Sequence, residues 1–315
     1  SEGERQGIVS KQSREERQMS IIRFLVFTDL HYDHVFDAEE RLDSLIGRIN
    51  DLSLDFVISL GDLCYPISDN RPIIRKLHSF EIPFYYCVGN HDCENSSPQA
   101  IEEFTGLSKL FYSFAVGDIK FIILNTCFME HNQKEMLYQK GQFKKNADFY
   151  PIIPQCEVEW LNEEMADKSM KYVIFSHHSL ANDFGSRGVV NREAIRTVLE
   201  KRQTILVMNG HDHGDDLKII NGIPYFTVNS VSYIWHDREK FAYSKDIYNE
   251  YPFIKNMILY KSPLYCVVEM EDENIKIYGT ESDYQTVTPE EVDIVGRRWN
   301  GVSIEPKISG WSRRG

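Results

Sequence analysis

The chain has 315 residues, 42% hydrophobic and 26% charged, a balance that supports a large buried core and excludes a disordered polymer. Its 35 basic and 48 acidic residues leave a net charge of −13, which argues against a general binder of duplex nucleic acid. No apolar run approaches the roughly 18 residues needed to cross a bilayer.

Residues 1–20 are polar and read as a flexible tail, with Met19, directly before the first apolar run, as a candidate start. Ile21 to Phe27 is a buried-strand candidate. A helix from Ala38 to Leu52 follows, with Leu42, Leu45, Ile46, Ile49 and Leu52 on one face. Asp55 to Leu60 is the second strand, Asn70 caps a helix with Pro72 at its start, and Phe84 to Val88 is the third strand. Ser97 and Pro98 open a short helix, and Phe111–Val116 with Lys120–Asn125 form a hairpin closed at Gly117-Asp118. Glu130 to Pro154 reads as a long polar and aromatic excursion. Helices over Gln155–Lys168 and Arg192–Lys201, the latter capped by Asn191, flank a strand at Tyr172–Ser176. Thr204–Met208 is another strand, and two hairpins come after it, turning at Asn221-Gly222 and Asp272-Glu273. Strands alternating with helical patterns point to an α/β (α+β) architecture. The expected organisation is a single domain over 21–284, with an aromatic, cap-like excursion at 229–262 and a C-terminal extension, 285–315, packed on it.

The informative residues lie just past the ends of the strands. The first strand runs into Asp29-Leu30-His31, the second into Gly61-Asp62, and the third into Gly89-Asn90-His91-Asp92. Later strands release Ser176-His177-His178 and Gly210-His211-Asp212-His213. Six of the ten histidines fall in these loops. Each piece alone is commonly a cap or a turn. Imidazoles, carboxylates and one amide gathered at strand carboxyl ends, where α/β sheets place their sites, suit borderline divalent metals. Gly61, Gly89 and Gly210 are read as sharp turns that bring the side chains to one point.

These motifs, in this order, resemble the calcineurin-like metallophosphoesterase superfamily. The stretch from Asn229 onward, closing on Pro306 to Ser309, is similar to a bacterial phosphodiesterase branch of it. The resemblance implies a four-layer αββα sandwich of two mixed sheets with a dinuclear metal site at the strand ends. It implies two divalent or trivalent metal ions, Mn, Fe or Zn. Asp29, His31 and His213 would hold one, Asn90, His177 and His211 the other, and Asp62 would bridge them. His178 is read as packing beside the ligands. Asp62-Leu63-Cys64-Tyr65 also fits the GDxxY of purple acid phosphatases, whose tyrosine binds iron. Those enzymes lack the histidine that this chain keeps as His31, so Tyr65 is read as lining and not as a ligand.

The expected chemistry is two-metal hydrolysis of a phosphoester, with a metal-bridging hydroxide attacking phosphorus directly. His91 is the expected general acid and Asp92 the group that orients or charges its ring. The aromatic density of Tyr233, Trp235, Phe241, Tyr243, Tyr248, Tyr251 and Phe253 reads either as a cap that stacks a planar group or as a packed excursion. His34, His236 and Arg187 are loop candidates for a distal phosphate. The leading expectation is a phosphodiesterase on a small, nucleotide-like substrate. Alternatives are a phosphomonoesterase, a nucleotide diphosphatase, or a scaffold of the same fold that binds partners. No membrane association is expected, and the oligomeric state stays open. Six cysteines without a CxxC pair read as reduced thiols, which with no visible leader points to the cytoplasm.

Overall fold

The computed structural model describes residues 21–94, 96–143, 148–182 and 188–314. The expected tail over 1–20, Met19 and Arg187 lie outside the described residues.

Two six-stranded mixed sheets form the centre. In chain order the first strands are β1 (Ile22–Phe27), β2 (Phe56–Ser59), β3 (Phe84–Tyr86), β4 (Tyr112–Val116) and β5 (Ile119–Ile123). β6 (Phe128–His131), β7 (Lys134–Leu137) and β8 (Tyr150–Ile152) come next, then β9 (Lys171–Ser176), β10 (Thr204–Asn209), β11 (Asp216–Ile220) and β12 (Ile223–Thr227). The last are β13 (Tyr233–Trp235), β14 (Met257–Leu259), β15 (Cys266–Glu271), β16 (Asn274–Gly279), β17 (Arg298–Trp299), β18 (Val302–Ser303) and β19 (Trp311–Arg313). One large sheet runs β19-β16-β15-β1-β2-β3 and the other β11-β12-β10-β9-β5-β4.

Alternation along the strands explains why the sheets stack and what covers them. Phe24 and Val26 of β1 face Phe121, Phe175 and Met208 of the opposite sheet in one buried cluster. Phe24 stacks on Phe56 with ring centroids 4.6 Å apart. Leu25 and Phe27, one residue out of phase, pack instead against Leu42, Leu45, Ile73 and Leu77. Those side chains come from α1 (Ala38–Asn50) and α2 (Arg71–His78), joined on that face by α3 (Pro98–Thr105). On the far side Ile122, Ile174 and Val207 pack against Leu161, Ile195 and Leu199 of α4 (Gln155–Glu164) and α5 (Arg192–Glu200). The result is a four-layer αββα sandwich. Each fully buried Phe or Leu contributes about 1.5–3 kcal/mol.

Several local features differ from the sequence reading. Of the three predicted caps, only Ser97 caps its helix by side chain, accepting from Ala100 N at 3.2 Å. Asn70 and Asn191 make no such cap. Asn70 donates to Asp33 Oδ1 at 2.8 Å, and Asn191 pairs with the backbone of Ile153. The excursion at 130–154 contains strands and forms the small sheet β7-β6-β8. The aromatic stretch is a ribbon, β13 with β14, carrying the short helix α6 (Lys245–Glu250) between its strands. Of the extension at 285–315, β17 and β18 make a second ribbon and β19 becomes the edge of the first sheet. No described helix is long and apolar enough to cross a membrane. None of the six cysteines is paired, and five are buried.

Candidate metal centre

Beyond β1 and β2 the chain continues in register after the strands end. Asp29 N donates to Gly61 O at 2.9 Å, and His31 N donates to Asp62 O at 2.9 Å. Keeping that register while aiming side chains at one point forces unusual backbone. Asp29, His31, Asp62, His211 and His213 all have φ between 46° and 66°. Non-glycine residues there cost about 1–3 kcal/mol each and persist only where surroundings fix them. Of the three motif glycines, only Gly61 turns through positive φ, at 105°. Gly89 and Gly210 serve close approach instead. A Cβ on Gly89 would sit 2.2 Å from Asp62 N, and one on Gly210 2.1 Å from Thr28 Oγ1.

Each aspartate has one oxygen anchored and one presented. Asp62 Oδ1 accepts the His91 backbone N–H at 2.8 Å. Its Oδ2 lies 3.6 Å from His31 Nε2 and 3.3 Å from His177 Nε2, between the two. Asp29 Oδ2 accepts from Thr28 Oγ1 at 2.7 Å and His211 N at 3.0 Å. Its Oδ1 is buried without a hydrogen-bond donor, 3.3 Å from His213 Nε2 and 3.6 Å from His31 Nε2.

The imidazoles are oriented through their other nitrogens. His177 Nδ1 donates to Leu60 O at 2.8 Å, and His213 Nδ1 donates to Tyr233 O at 2.8 Å. In both, Nε2 is the nitrogen turned to the centre, the usual arrangement of a metal-binding histidine. His177 Nε2 is 3.2 Å from Asn90 Oδ1, and His31 Nε2 is 3.0 Å from His213 Nε2. Donor atoms of Asp29, His31 and His213 converge, as do those of Asp29, Asp62 and His177, and of His177, His178 and His211. All seven candidate ligands from the sequence therefore meet in one place. His178 stands beside them, its ring centroid 4.2 Å from that of His211 and its Nδ1 3.0 Å from Thr126 Oγ1. Asp29 Oδ1, buried between two imidazole nitrogens with no hydrogen-bond donor, and Asp62 Oδ2, set between those of His31 and His177, make a donor set that fits two borderline cations.

Electrostatics agree with that fit. Burial opposes ionisation of Asp29 and Asp62, yet the surrounding histidines outweigh it and hold both below the usual carboxylate range. Burial likewise opposes charge on His177, but Asp62 raises it to about 9, while His31 falls with burial to about 4.

Asp92 makes no hydrogen bond to the His91 ring, though its charge acts on that ring. Its oxygens accept backbone N–H groups of Asp62, Leu63 and Gly89 at 2.8, 3.0 and 2.7 Å. It ties the loop after β2 to the loop after β3. The carboxylate at the His91 ring is Glu94, with Oε1 2.9 Å from Nδ1.

A cavity of about 390 Å³ opens over these residues. Trp235 and Phe253 line one part of it, and Tyr138, Lys140 and Phe143 from the 130–154 excursion line another. Asn300, in the turn between β17 and β18, also contributes. The aromatic stretch thus divides. Tyr233 is buried against His31 and His213, whereas Tyr243, Tyr248 and Tyr251 pack with Val35 and Ala38. Phe241 is 65% exposed. Tyr65 lines the cavity and pairs through its hydroxyl with His34 Nε2 at 2.6 Å. His34 lines it too, while His236 is buried inside the ribbon and outside the lining.

The family described as calcineurin-like phosphoesterase matches residues 22–215, the span that holds every one of these ligand candidates. The chain belongs to that family. Calcineurin-like phosphoesterases are metal-dependent phosphoesterases, and their centre is dinuclear. The human serine/threonine-protein phosphatase CPPED1 is 24% identical over 154 residues, 44% of this chain and 44% of that protein. The chain thus matches less than half the length of that curated relative. In fold, it is similar to a dimetal phosphatase from Danio rerio, with a TM-score of 0.59 at 14% identity over 85% of this chain and 99% of that one. It is similar also to GAP50, described as the anchor in the inner membrane complex of Plasmodium, with a TM-score of 0.51 at 12% identity over 87% and 93% of the two chains. Glu94, Tyr138, Lys140, Gly141, Phe143 and Asn300 are residues of the site that the sequence reading did not single out. Only Glu94 carried a signal, its i+3 spacing from His91.

Proposed function

We propose that this calcineurin-like phosphoesterase is a phosphodiesterase acting on a small ester with a flat, nucleotide-like part, with His91 as general acid. Asp29, His31 and His213 would hold one cation, Asn90, His177 and His211 the other, and Asp62 would bridge them. Two cations so held acidify water and clamp phosphoryl oxygens during in-line displacement. The observation that carries the reading is the placement of Asp62 Oδ2 between His31 Nε2 and His177 Nε2, under a cavity with aromatic walls.

His91 lines the cavity, half-buried, with its ring edge-on to that of His31 and centroids 4.8 Å apart. As the phosphorus–oxygen bond breaks, its electron pair stays on the leaving oxygen, which takes a proton from His91. Trp235 and Phe253 offer faces on which a planar leaving group stacks. Among the described lining residues Lys140 is the only lysine or arginine, and Glu94 and Asp212 are acidic besides the proposed ligand Asp62. That balance suits a singly charged diester better than a dianionic monoester.

The test compares bis-p-nitrophenyl phosphate, p-nitrophenyl phosphate and a phosphoserine peptide, with Mn²⁺ or chelator, on wild type, Asp62→Ala and His91→Ala. The expected result is faster, metal-dependent diester cleavage that Asp62→Ala abolishes. His91→Ala should lower kcat by about 100-fold or more on poor leaving groups with both metals retained. Faster monoester cleavage would turn the reading to a phosphomonoesterase, and faster peptide cleavage to the activity in the human relative's name. A metal-free, inactive protein would turn it to a scaffold.

A further inference from the structure

Trp235 and Phe253 can hold a flat group by its faces, which does not distinguish one planar ring from another. We propose that Asn300 reads the edge of that ring, and so selects a nucleobase that carries a ring N–H beside a carbonyl, as thymine does. The inference rests on the phosphodiesterase reading and names its substrate class.

Three observations carry it. The Asn300 side chain is exposed and lines the cavity, at its mouth, and among the described residues it has no hydrogen-bond partner. Other polar groups of the lining are engaged. The Tyr65 hydroxyl pairs with His34, Lys140 Nζ lies 3.6 Å from Glu94 Oε2, and Asp212 Oδ2 accepts from Asn182 at 3.1 Å.

The position of Asn300 is fixed by backbone. β17 and β18 pair as Arg298 with Ser303 and Trp299 with Val302, which leaves Asn300 and Gly301 as a two-residue turn. Both have positive φ, 50° and 89°, the type I′ geometry that Asn-Gly favours. The Arg298 guanidinium donates to Gly301 O at 2.6 Å across the turn.

The ribbon is also docked on the loop that carries His211 and His213. Asp215 N donates to Ser303 O at 2.8 Å, and Ser303 N to Asp215 O at 3.0 Å. A Cβ on Gly214 would lie 2.3 Å from Val302 Cγ2, so the two segments touch with no side chain between them. The offset between the turn and the ligand set is thus held by main chain. A carboxamide offers an acceptor oxygen and N–H donors side by side, the complement of a ring N–H next to a carbonyl. A benzene ring stacks as well but leaves both halves of the amide unpaired.

An asparagine suits this turn for backbone reasons alone, so the experiment keeps the turn and removes the amide. Wild type, Asn300→Gly and Asn300→Asp are compared in metal-loaded form, since glycine and aspartate both suit the same turn position. The substrates are methyl thymidine 5′-phosphate, its N3-methylthymidine counterpart, which lacks the ring N–H, and methyl benzyl phosphate. Wild type should prefer the thymidine ester over the N3-methyl ester by about 5-fold in kcat/KM, the worth of one hydrogen bond, chiefly through KM. In Asn300→Gly that preference should vanish, and the ratio of thymidine to benzyl ester should fall by about 10-fold. Asn300→Asp, which still accepts from N3–H but donates nothing, should keep part of the preference. In the zinc-loaded protein, the side-chain ¹⁵N signal of Asn300 should shift on titration with thymidine and far less with N3-methylthymidine. No preference in wild type, or one that survives in Asn300→Gly, would overturn the proposal, as would an equal loss on all three esters, which marks the turn as structural. Should metal-loaded wild type cleave none of these esters nor bis-p-nitrophenyl phosphate, the functional reading falls instead, and the Asn300 titration alone then decides for or against the base contact.

Discussion

The cradle that gathers the ligands and the walls that enclose the cavity are built on opposite principles. In the cradle, backbone conformation sets the geometry. Five left-handed residues, the rungs from Asp29 and His31 to the loop after β2, and Asp92 bridging two loops fix the donors with almost no side-chain latitude. In the walls, side chains on small appended ribbons set the geometry. Phe253 is 39% exposed, and Lys140 and Asn300 reach in from unrelated excursions. Precision is concentrated where charge must be placed to a fraction of an ångström, and variation is left to surfaces that only have to fit a shape.

The sharpest break of that contrast is Asp62→Asn, which alters the oxygen shared between His31 and His177. Activity should fall by more than about 100-fold whatever the leaving group, and elemental analysis should find metal lost. Gly89→Ala attacks the cradle without touching a ligand, since its Cβ would meet Asp62 N at 2.2 Å. It should destabilise by about 1–3 kcal/mol in denaturant titration and weaken metal retention as well. If metal content stays at wild-type level, the cradle is softer than its backbone implies. Trp235→Ala and Phe253→Ala act on the walls. Each should lower kcat/KM on a planar diester by an amount worth about 1–3 kcal/mol, with metal content unchanged.

The smallest effect is expected at Glu157, buried beneath the cradle. Burial raises its carboxyl well above the ordinary 4.5, against one backbone N–H from Asn125. The native state therefore keeps a proton that the unfolded chain has released, so stability falls as pH rises from about 4.5 towards the folded value. Glu157→Gln should remove that slope. Its Tm should exceed that of wild type at about pH 8 and converge with it at about pH 4.

The cradle was largely legible in the sequence because every ligand candidate comes directly after a β-rich run, so local order already carries the three-dimensional arrangement. Where two carboxylates lie near one ring, chain order does not tell which comes closer. Asp92 is next to His91 in the chain, yet the 3₁₀ turn points it at backbone amides and brings Glu94 to the ring. The walls were nearly illegible. β7 has exposed Lys134 and Glu135 and only four residues, too few for alternation to register, and β19 has three. Asn70 and Asn191 carry the composition of helix caps, but tertiary partners at Asp33 and Ile153 claimed their amides. Gly89 and Gly210 looked like turns because a sequence displays a glycine's freedom and hides what its missing side chain makes room for.

The order of the first sheet has a consequence for how the chain is made. β1 sits at its centre, between β2 and β15, and Ile22 is paired with Met270. A ribosome adding about 5–20 residues per second needs roughly 10–50 s to reach β15 after β1 has emerged. Throughout that interval one edge of a strand made almost wholly of buried residues has no native neighbour, an open template for pairing with another nascent chain. The strand that leads into Asp29 is thus the one most in need of shielding during synthesis, and yield at high expression should depend more on chaperone supply than on the supply of metal.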